Sequence, residues 1–163
     1  MSHLQRGLRR TRRAIDIPAW AIGAIQLEAW AKWPKETGGI LLGRSSSKGA
    51  TVHHVVGPGL EAVHARCGFT PDSDWQAERV AEAWTQDNSI EYLGDWHTHP
   101  GGTTRLSNLD KAAAVTICNY PDARQPTPIM FVLALRRDGS SSAAAAMLQD
   151  GRLRPLRITV PEA

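Results

Sequence analysis

The chain has 163 residues, about 42% of them apolar and 21% charged, which fits one globular domain with a packed core and leaves little room for a second. The net charge of +3 is unevenly placed: residues 1–13 carry Arg6, Arg9, Arg10, Arg12 and Arg13 and no acid, leaving 14 basic against 16 acidic side chains in the rest. No apolar run approaches the roughly 18–20 residues of a membrane span, so no membrane partner is expected, and no apolar stretch follows the basic start, so no secretory leader is expected. Cys67 and Cys118 form no CxxC pair, which excludes a disulfide scaffold and a Cys-only zinc site and suits a reducing cytoplasm. Residues 1–13 are expected to form a flexible arm and residues 14–163 a single domain. The body has no stripe of interleaved basic and aromatic residues, so nucleic acid is not an expected partner.

Ala14 to Ile17 reads as a short strand, and Pro18 suits the first turn of a helix that Pro34 ends. Trp20, Ala24, Leu27 and Ala31 form the expected apolar face of that helix. The run Ile40-Leu41-Leu42 predicts a buried strand, and Thr51 to Val56 its hairpin partner. Gly57-Pro58-Gly59 is a turn, with an irregular stretch to Phe69. A second helix begins between Pro71 and Gln76, with Ser73 and Gln76 spaced as a capping box and Ala77, Val80, Ala81 and Trp84 as its inner face. Trp75 and Trp84 are expected in the core, and Cys67 as a small buried hydrophobe.

Ile90 to Trp96 is strand-like and runs into His97-Thr98-His99-Pro100. Ser107 is a plausible N-cap for a third helix with Leu109, Ala112, Ala113 and Thr116 inward. Tyr120 to Pro128 is a loop. Three strands follow, residues 129–136, 142–148 and 152–160, joined by the turn pairs Asp138-Gly139 and Asp150-Gly151.

The residues that carry chemistry are Glu36, His97, His99, Ser107 and Asp110. In an extended segment residues i and i+2 point to one side, so His97 and His99 can converge on one metal ion. Asp110, eleven positions after His99, can return on a helix start as a third ligand. A His₂-carboxylate set leaves a position for water, the arrangement of a hydrolytic zinc site. Glu36 is the candidate base, although spacing alone does not bring it to the histidines. Ser107 could donate to a developing oxyanion, and Ser107-x-x-Asp110 is equally a capping box. His53 and His54 are adjacent in a strand, point to opposite faces, and read as structural.

His97-x-His99, seven residues, Ser107, two residues and Asp110 together resemble the JAMM motif of the MPN metalloproteases. Glu36, ahead of Gly38-Gly39-Ile40-Leu41-Leu42-Gly43, resembles that family's catalytic glutamate. The resemblance covers residues 14–160. It implies an α+β MPN (cytidine deaminase-like) fold: a mostly antiparallel curved sheet flanked by about three helices. It also implies one Zn²⁺ per chain on His97, His99 and Asp110, Glu36 as general acid/base, and Ser107 as oxyanion stabiliser.

Members of the family mostly cut after the C-terminal glycine of ubiquitin-like proteins, so a ubiquitin-like protein and its conjugates are the implied partners. Relatives place a substrate-contacting insertion where this chain has residues 57–69, which makes Gly59, Glu61 and His64 candidates for substrate contact. The loop 120–128 is the candidate for the other side of the groove. It is short and holds no further histidine, which speaks against linkage-specific cleavage of polymeric chains. The compact domain looks most like bacterial JAB peptidases, in particular the deconjugating peptidases of antiphage operons. Activating-like and conjugating-like enzymes of the same operon are then further partners. Two alternatives stand beside this reading. One is a JAB peptidase processing a sulfur-carrier protein or small peptide in biosynthesis. The other is a non-catalytic MPN scaffold.

Overall fold

The computed structural model describes residues 13–162, so the expected arm, Arg13 apart, lies outside the described residues. The strands are β1 (Ala14–Asp16), β2 (Gly38–Ser46), β3 (Gly49–Val56), β4 (Val63–Ala65), β5 (Gly68–Thr70), β6 (Glu91–Pro100), β7 (Ile129–Leu135), β8 (Ser141–Gln149) and β9 (Arg152–Thr159). The helices are α1 (Ala19–Lys32), α2 (Ser73–Gln86) and α3 (Asn108–Asn119). The architecture is α+β and mostly antiparallel, as the family resemblance implies. The curved sheet goes further and closes, in the order β1-β3-β2-β6-β7-β8-β9, with β1 lying parallel to both β3 and β9. The stretch expected to be irregular holds a separate two-stranded hairpin, β4–β5. Among the described residues no helix is long and apolar enough to cross a membrane.

Helices α1 and α3 turn a different face inward from the one the apolar spacing suggests, and in α2 only Val80 of the expected face packs on the core. In α1 the buried residues are Ala21, Ile25 and Ala29, while Trp20 and Leu27 are 56% and 75% exposed. The helix is apolar on two sides, and the side with Ala21, Ile25 and Ala29, flanked by Ile22 and Trp30, belongs to one core cluster with Ile15, Leu41 and Phe131. In α2 the N-cap is Asp72, not Ser73: its carboxylate accepts from the Trp75 N–H, and Gln76, outside any capping box, donates to the Gly57 carbonyl. Gln76 and Ala83 are buried there and Trp75 packs beside Ala83, whereas Trp84 lies exposed rather than in the core. In α3 only Ala114 is fully buried, and Leu109 is exposed. Cys67, expected inside, is exposed in the tight turn between β4 and β5.

Two features of β6 place the site. First, β6 and β7 are parallel, so the chain must cross over between them, and that crossover carries α3. The start of α3 is thereby returned to the end of β6 where His97 and His99 lie. Second, β6 is bulged. The register runs Leu41↔Gly94 and then Leu42↔Tyr92, leaving Leu93 as the extra residue. Gly94 sits at φ +149°, where an added Cβ would lie 1.9 Å from the Ile129 carbonyl oxygen, so only glycine fits. The bulge reverses the alternation: Leu93 and Trp96 both point into the core, and Asp95, His97 and His99 all point out of it.

Candidate metal centre and active site

His97 Nε2 lies 3.0 Å from His99 Nε2, 3.1 Å from Asp110 Oδ1, and His99 Nε2 lies 3.7 Å from Asp110 Oδ2. Among the described residues these three form the group whose donor atoms, all within 4.8 Å of one another, could hold a metal ion. His99 Nδ1 is 2.7 Å from the Thr103 carbonyl oxygen. A carbonyl can only accept, so Nδ1 carries a proton, which in the neutral tautomer leaves the Nε2 lone pair facing the cluster. Burial pushes the Asp110 carboxyl up, but the hydrogen bond and charge of His97 and the donors of Ser107 outweigh it and hold the group well below the usual carboxylate range. Two imidazole nitrogens and an ionised carboxylate are the donor set of a divalent metal such as zinc, so the residues fit one.

Glu36 reaches the same place from the other side. It lies in the irregular segment just before β2. Thr37 and Thr98 lock that segment to β6: the Thr98 N–H donates to the Thr37 carbonyl at 3.0 Å and the Thr37 N–H to Thr98 Oγ1 at 3.0 Å. Gly38 then stands in register with His97. Burial raises the Glu36 carboxyl above its ordinary value, while the nearby His99 and His97 pull it down and Asp110 pushes it up. The spacing left open whether Glu36 meets the histidines; the fold brings them into one cavity of about 370 Å³ with Ser107 and Asp110.

Of the two readings of Ser107, the structure shows the capping one. The residue caps α3 in a full capping box, with the Asp110 N–H on its hydroxyl oxygen at 3.2 Å and its own N–H on Asp110 Oδ2 at 2.6 Å. The Ser107 side chain also bonds the Asp110 carboxylate and helps to hold it ionised. The cavity walls are Cys67, Gly68 and Phe69 of the hairpin on one side and Leu109 and Ala113 of α3 on the other. Of the three candidates for substrate contact, none lines it. Gly59, at φ +94°, packs on Asp72, and the Glu61 N–H donates to Asp72 Oδ2 at 3.1 Å. Both therefore tie the base of the hairpin to α2. His64 bonds the Glu36 carbonyl at 2.9 Å. The loop 120–128 is not the opposite wall, because α3 occupies that place; Asp122, Ala123 and Arg124 border another groove against α2.

The sequence reading missed Asp95. It shares the outward face of β6 with both histidines, lines the cavity, and accepts from the Tyr92 hydroxyl at 2.7 Å. Its carboxyl is raised, chiefly by burial, with Tyr92 and His97 pulling against that. The i, i+2, i+4 spacing Asp95-x-His97-x-His99 was the available signal.

This chain belongs to the prokaryotic JAB-domain family: the family model described as prokaryotic homologues of the JAB domain matches residues 18–147. Among curated proteins it is 32% identical over 124 residues to "Probable metalloprotease y4qB" of Sinorhizobium fredii, covering 74% of this chain and 76% of that one. It is 35% identical over 76 residues to a CD-NTase/cGAS isopeptidase of Escherichia coli, covering 46% of this chain and 49% of the relative. A protein of the same name from Enterobacter hormaechei is 29% identical over 126 residues, covering 76% and 68%. The solution structure of protein DSY2949 from Desulfitobacterium hafniense shares the fold, with a TM-score of 0.64 at 18% identity over 91% of this chain and 94% of that one.

Proposed function

We propose that this protein is a zinc-dependent isopeptidase that hydrolyses the amide bond after the C-terminal glycine of a ubiquitin-like protein, in deconjugation or precursor maturation. The observation that carries the reading is the meeting of His97, His99 and Asp110 with Glu36 in one cavity beside an extended hairpin. His97, His99 and Asp110 would hold the zinc. When bound, zinc polarises a carbonyl and makes water a better nucleophile near neutral pH.

The chain's own residues do the rest. Glu36 takes a proton from the attacking water and gives it to the amine as the carbon–nitrogen bond breaks; its elevated pKa suits both transfers. Ser107 donates to the oxygen on which charge develops. A Gly-Gly tail has no side chains, so it fits a narrow slot and is recognised through backbone hydrogen bonds along a strand edge. The hairpin wall at Gly68 and Phe69 offers that edge at the cavity.

Two relatives are named isopeptidases, which favours a branched amide over a linear one. We further propose that this chain serves a bacterial ubiquitin-like antiviral system, whose modifier and target would be its partners. The test is a trap. Zinc-loaded Glu36→Ala protein is passed through lysate of the native host and bound species are weighed intact. Capture of a ubiquitin-like protein, free or joined to a target, is the expected result. Capture of a sulfur carrier or short peptides alone would move the assignment to biosynthetic processing. Wild-type protein that binds no zinc would leave a scaffold.

A further inference from the structure

We infer that the β4–β5 hairpin positions the general base, with His64 as the positioning residue, so that one unit holds both the substrate wall and Glu36. This rests on Glu36 being the proton carrier proposed above.

Both backbone polar groups of Glu36 are engaged by β4. Its N–H donates to the Ala65 carbonyl at 2.7 Å, and its carbonyl accepts from His64 Nδ1 at 2.9 Å. The acceptor is a carbonyl, so His64 must carry a proton on Nδ1. The ladder between β2 and β6 begins one position after Thr37, at Gly38↔His97, and does not include Glu36. The hairpin therefore takes the place of the missing ladder at the residue whose side chain needs fixing most.

The clamp continues behind His64. Its ring stacks on Phe69 of β5, with centroids 6.2 Å apart and planes at 12°. Phe69 in turn rests on Gly38, where a Cβ would lie 2.4 Å from the ring. The base of the hairpin is tied to α2, through the Glu61 N–H on Asp72 and the Asp72 N–H on the Pro58 carbonyl at 2.9 Å. The other end, Cys67 to Phe69, faces the cavity. A tail seated there pushes on Phe69, and Phe69 touches His64, which holds Glu36. An error of about 1 Å in a catalytic group costs on the order of 100-fold in rate, so this clamp sits where it matters.

Two variants separate the hydrogen bond from the stack. His64→Phe keeps a ring on Phe69 and loses the donor. His64→Asn loses the ring and keeps an N–H close to the place of Nδ1. The probe is a fluorogenic peptide whose terminal Gly-Gly is joined to a lysine ε-amine. In His64→Phe, kcat should fall about 10-fold or more with KM and zinc content unchanged. His64→Asn should recover most of the loss, and His64→Phe should add nothing in a Glu36→Gln background. Independently of turnover, amide exchange at Glu36 should quicken in His64→Phe and not in His64→Asn.

Unchanged kcat and exchange in His64→Phe would overturn the inference. So would a rise in KM alone, which would make His64 a substrate contact, or an Asn variant as poor as the Phe variant. If His64→Phe fails to fold, His64→Ala against His64→Asn makes the same comparison. If zinc-loaded wild-type protein does not cleave the probe and Glu36→Ala traps nothing, the proposed function fails. The exchange measurement still decides the clamp.

Discussion

Replacing Gly38 by alanine tests how the hairpin is seated. A Cβ there would lie 2.4 Å from Phe69 Cζ and 2.6 Å from both Phe69 Cε1 and the Trp96 carbonyl oxygen. Carbon atoms rest about 3.5–4.0 Å apart, so the methyl overlaps the ring by more than about 1 Å. The Trp96 carbonyl belongs to β6, whose pairing with β2 continues at Gly39↔Trp96, and it cannot retreat without opening the sheet. The Phe69 ring is the part that can move, and its movement lifts the hairpin from Glu36. Overpacking of this kind costs about 1–3 kcal/mol. For a domain of this size that is a fall in Tm of about 2–4 °C per kcal/mol, hence roughly 2–12 °C. The loss of kcat should be larger than stability alone explains, on the order of 100-fold for a 1 Å displacement of the base. Gly57→Ala, with nothing within 4 Å of the added Cβ, is the neutral control. Gly39→Ala, whose Cβ would meet the Val56 carbonyl at 1.9 Å, should fold far less well than either. Thermal melts, zinc content and steady-state turnover on the three variants decide the matter. A Gly38→Ala protein with wild-type Tm and kcat would refute the seating described.

His97→Ala and Asp110→Ala should each lose zinc and turnover together, whereas Glu36→Ala should keep stoichiometric zinc and lose turnover; metal analysis beside the peptide assay reads both. Chelation should lower Tm, because an ion held only by the folded state stabilises by about 4 kcal/mol at 1,000 times its Kd, and His97→Ala should show no such shift. Ser107→Ala removes a capping box and should cost about 1 kcal/mol in a denaturant melt, with a further drop in kcat if the hydroxyl also serves the oxyanion; a stability loss with an unchanged rate would confine Ser107 to capping. Asp95→Asn should raise Tm of the metal-free protein at neutral pH. The sign follows from the raised carboxyl: ionised Asp95 costs stability when its folded pKa lies above the unfolded one, and the cost fades as pH falls through the folded pKa. A Tm advantage of Asp95→Asn that grew at acid pH would contradict this.

Much of the site was legible because its signals are local. His97 and His99 share a face through strand alternation alone, and Ser107-x-x-Asp110 is a helix start by its own hydrogen bonds. What was not legible depends on distant partners. The helix faces were misread because α1 and α3 offer more than one apolar stripe, and only the barrel decides which is used. Ala21, Ile25 and Ala29 are buried, with Ile22 and Trp30 partly buried beside them, while Trp20 and Leu27 stay exposed. The hairpin at 63–70 escaped notice because three-residue strands leave almost no periodicity. Closure through β1 is a matter of two parallel pairings that no local pattern records.

The bulge at Leu93 shows how a small irregularity decides function. Without it, strict alternation would put Asp95, His97 and His99 on the face of Leu93, inside the apolar core. There two imidazoles and a carboxylate would have no partners. One extra residue sends them outward instead, while Trp96 and Thr98 keep the inner face and remain buried at 1% and 0% exposure. The same outward face meets α3, because the parallel β6–β7 pairing obliges the chain to cross there. Glu36 comes from a third segment, tied to β6 through Thr37 and Thr98 and to β4 through its own backbone groups. Each of the three arrivals has its own cause: a glycine-dependent bulge, a parallel crossover and a hairpin clamp. A cavity that gathers Glu36, Asp95 and Asp110 brings three carboxyls together, and burial pushes all three upward, with a net rise at Glu36 and Asp95. A divalent cation held by His97, His99 and Asp110 would offset the charge of the ionised carboxylates directly, which would stabilise the folded, metal-bound state.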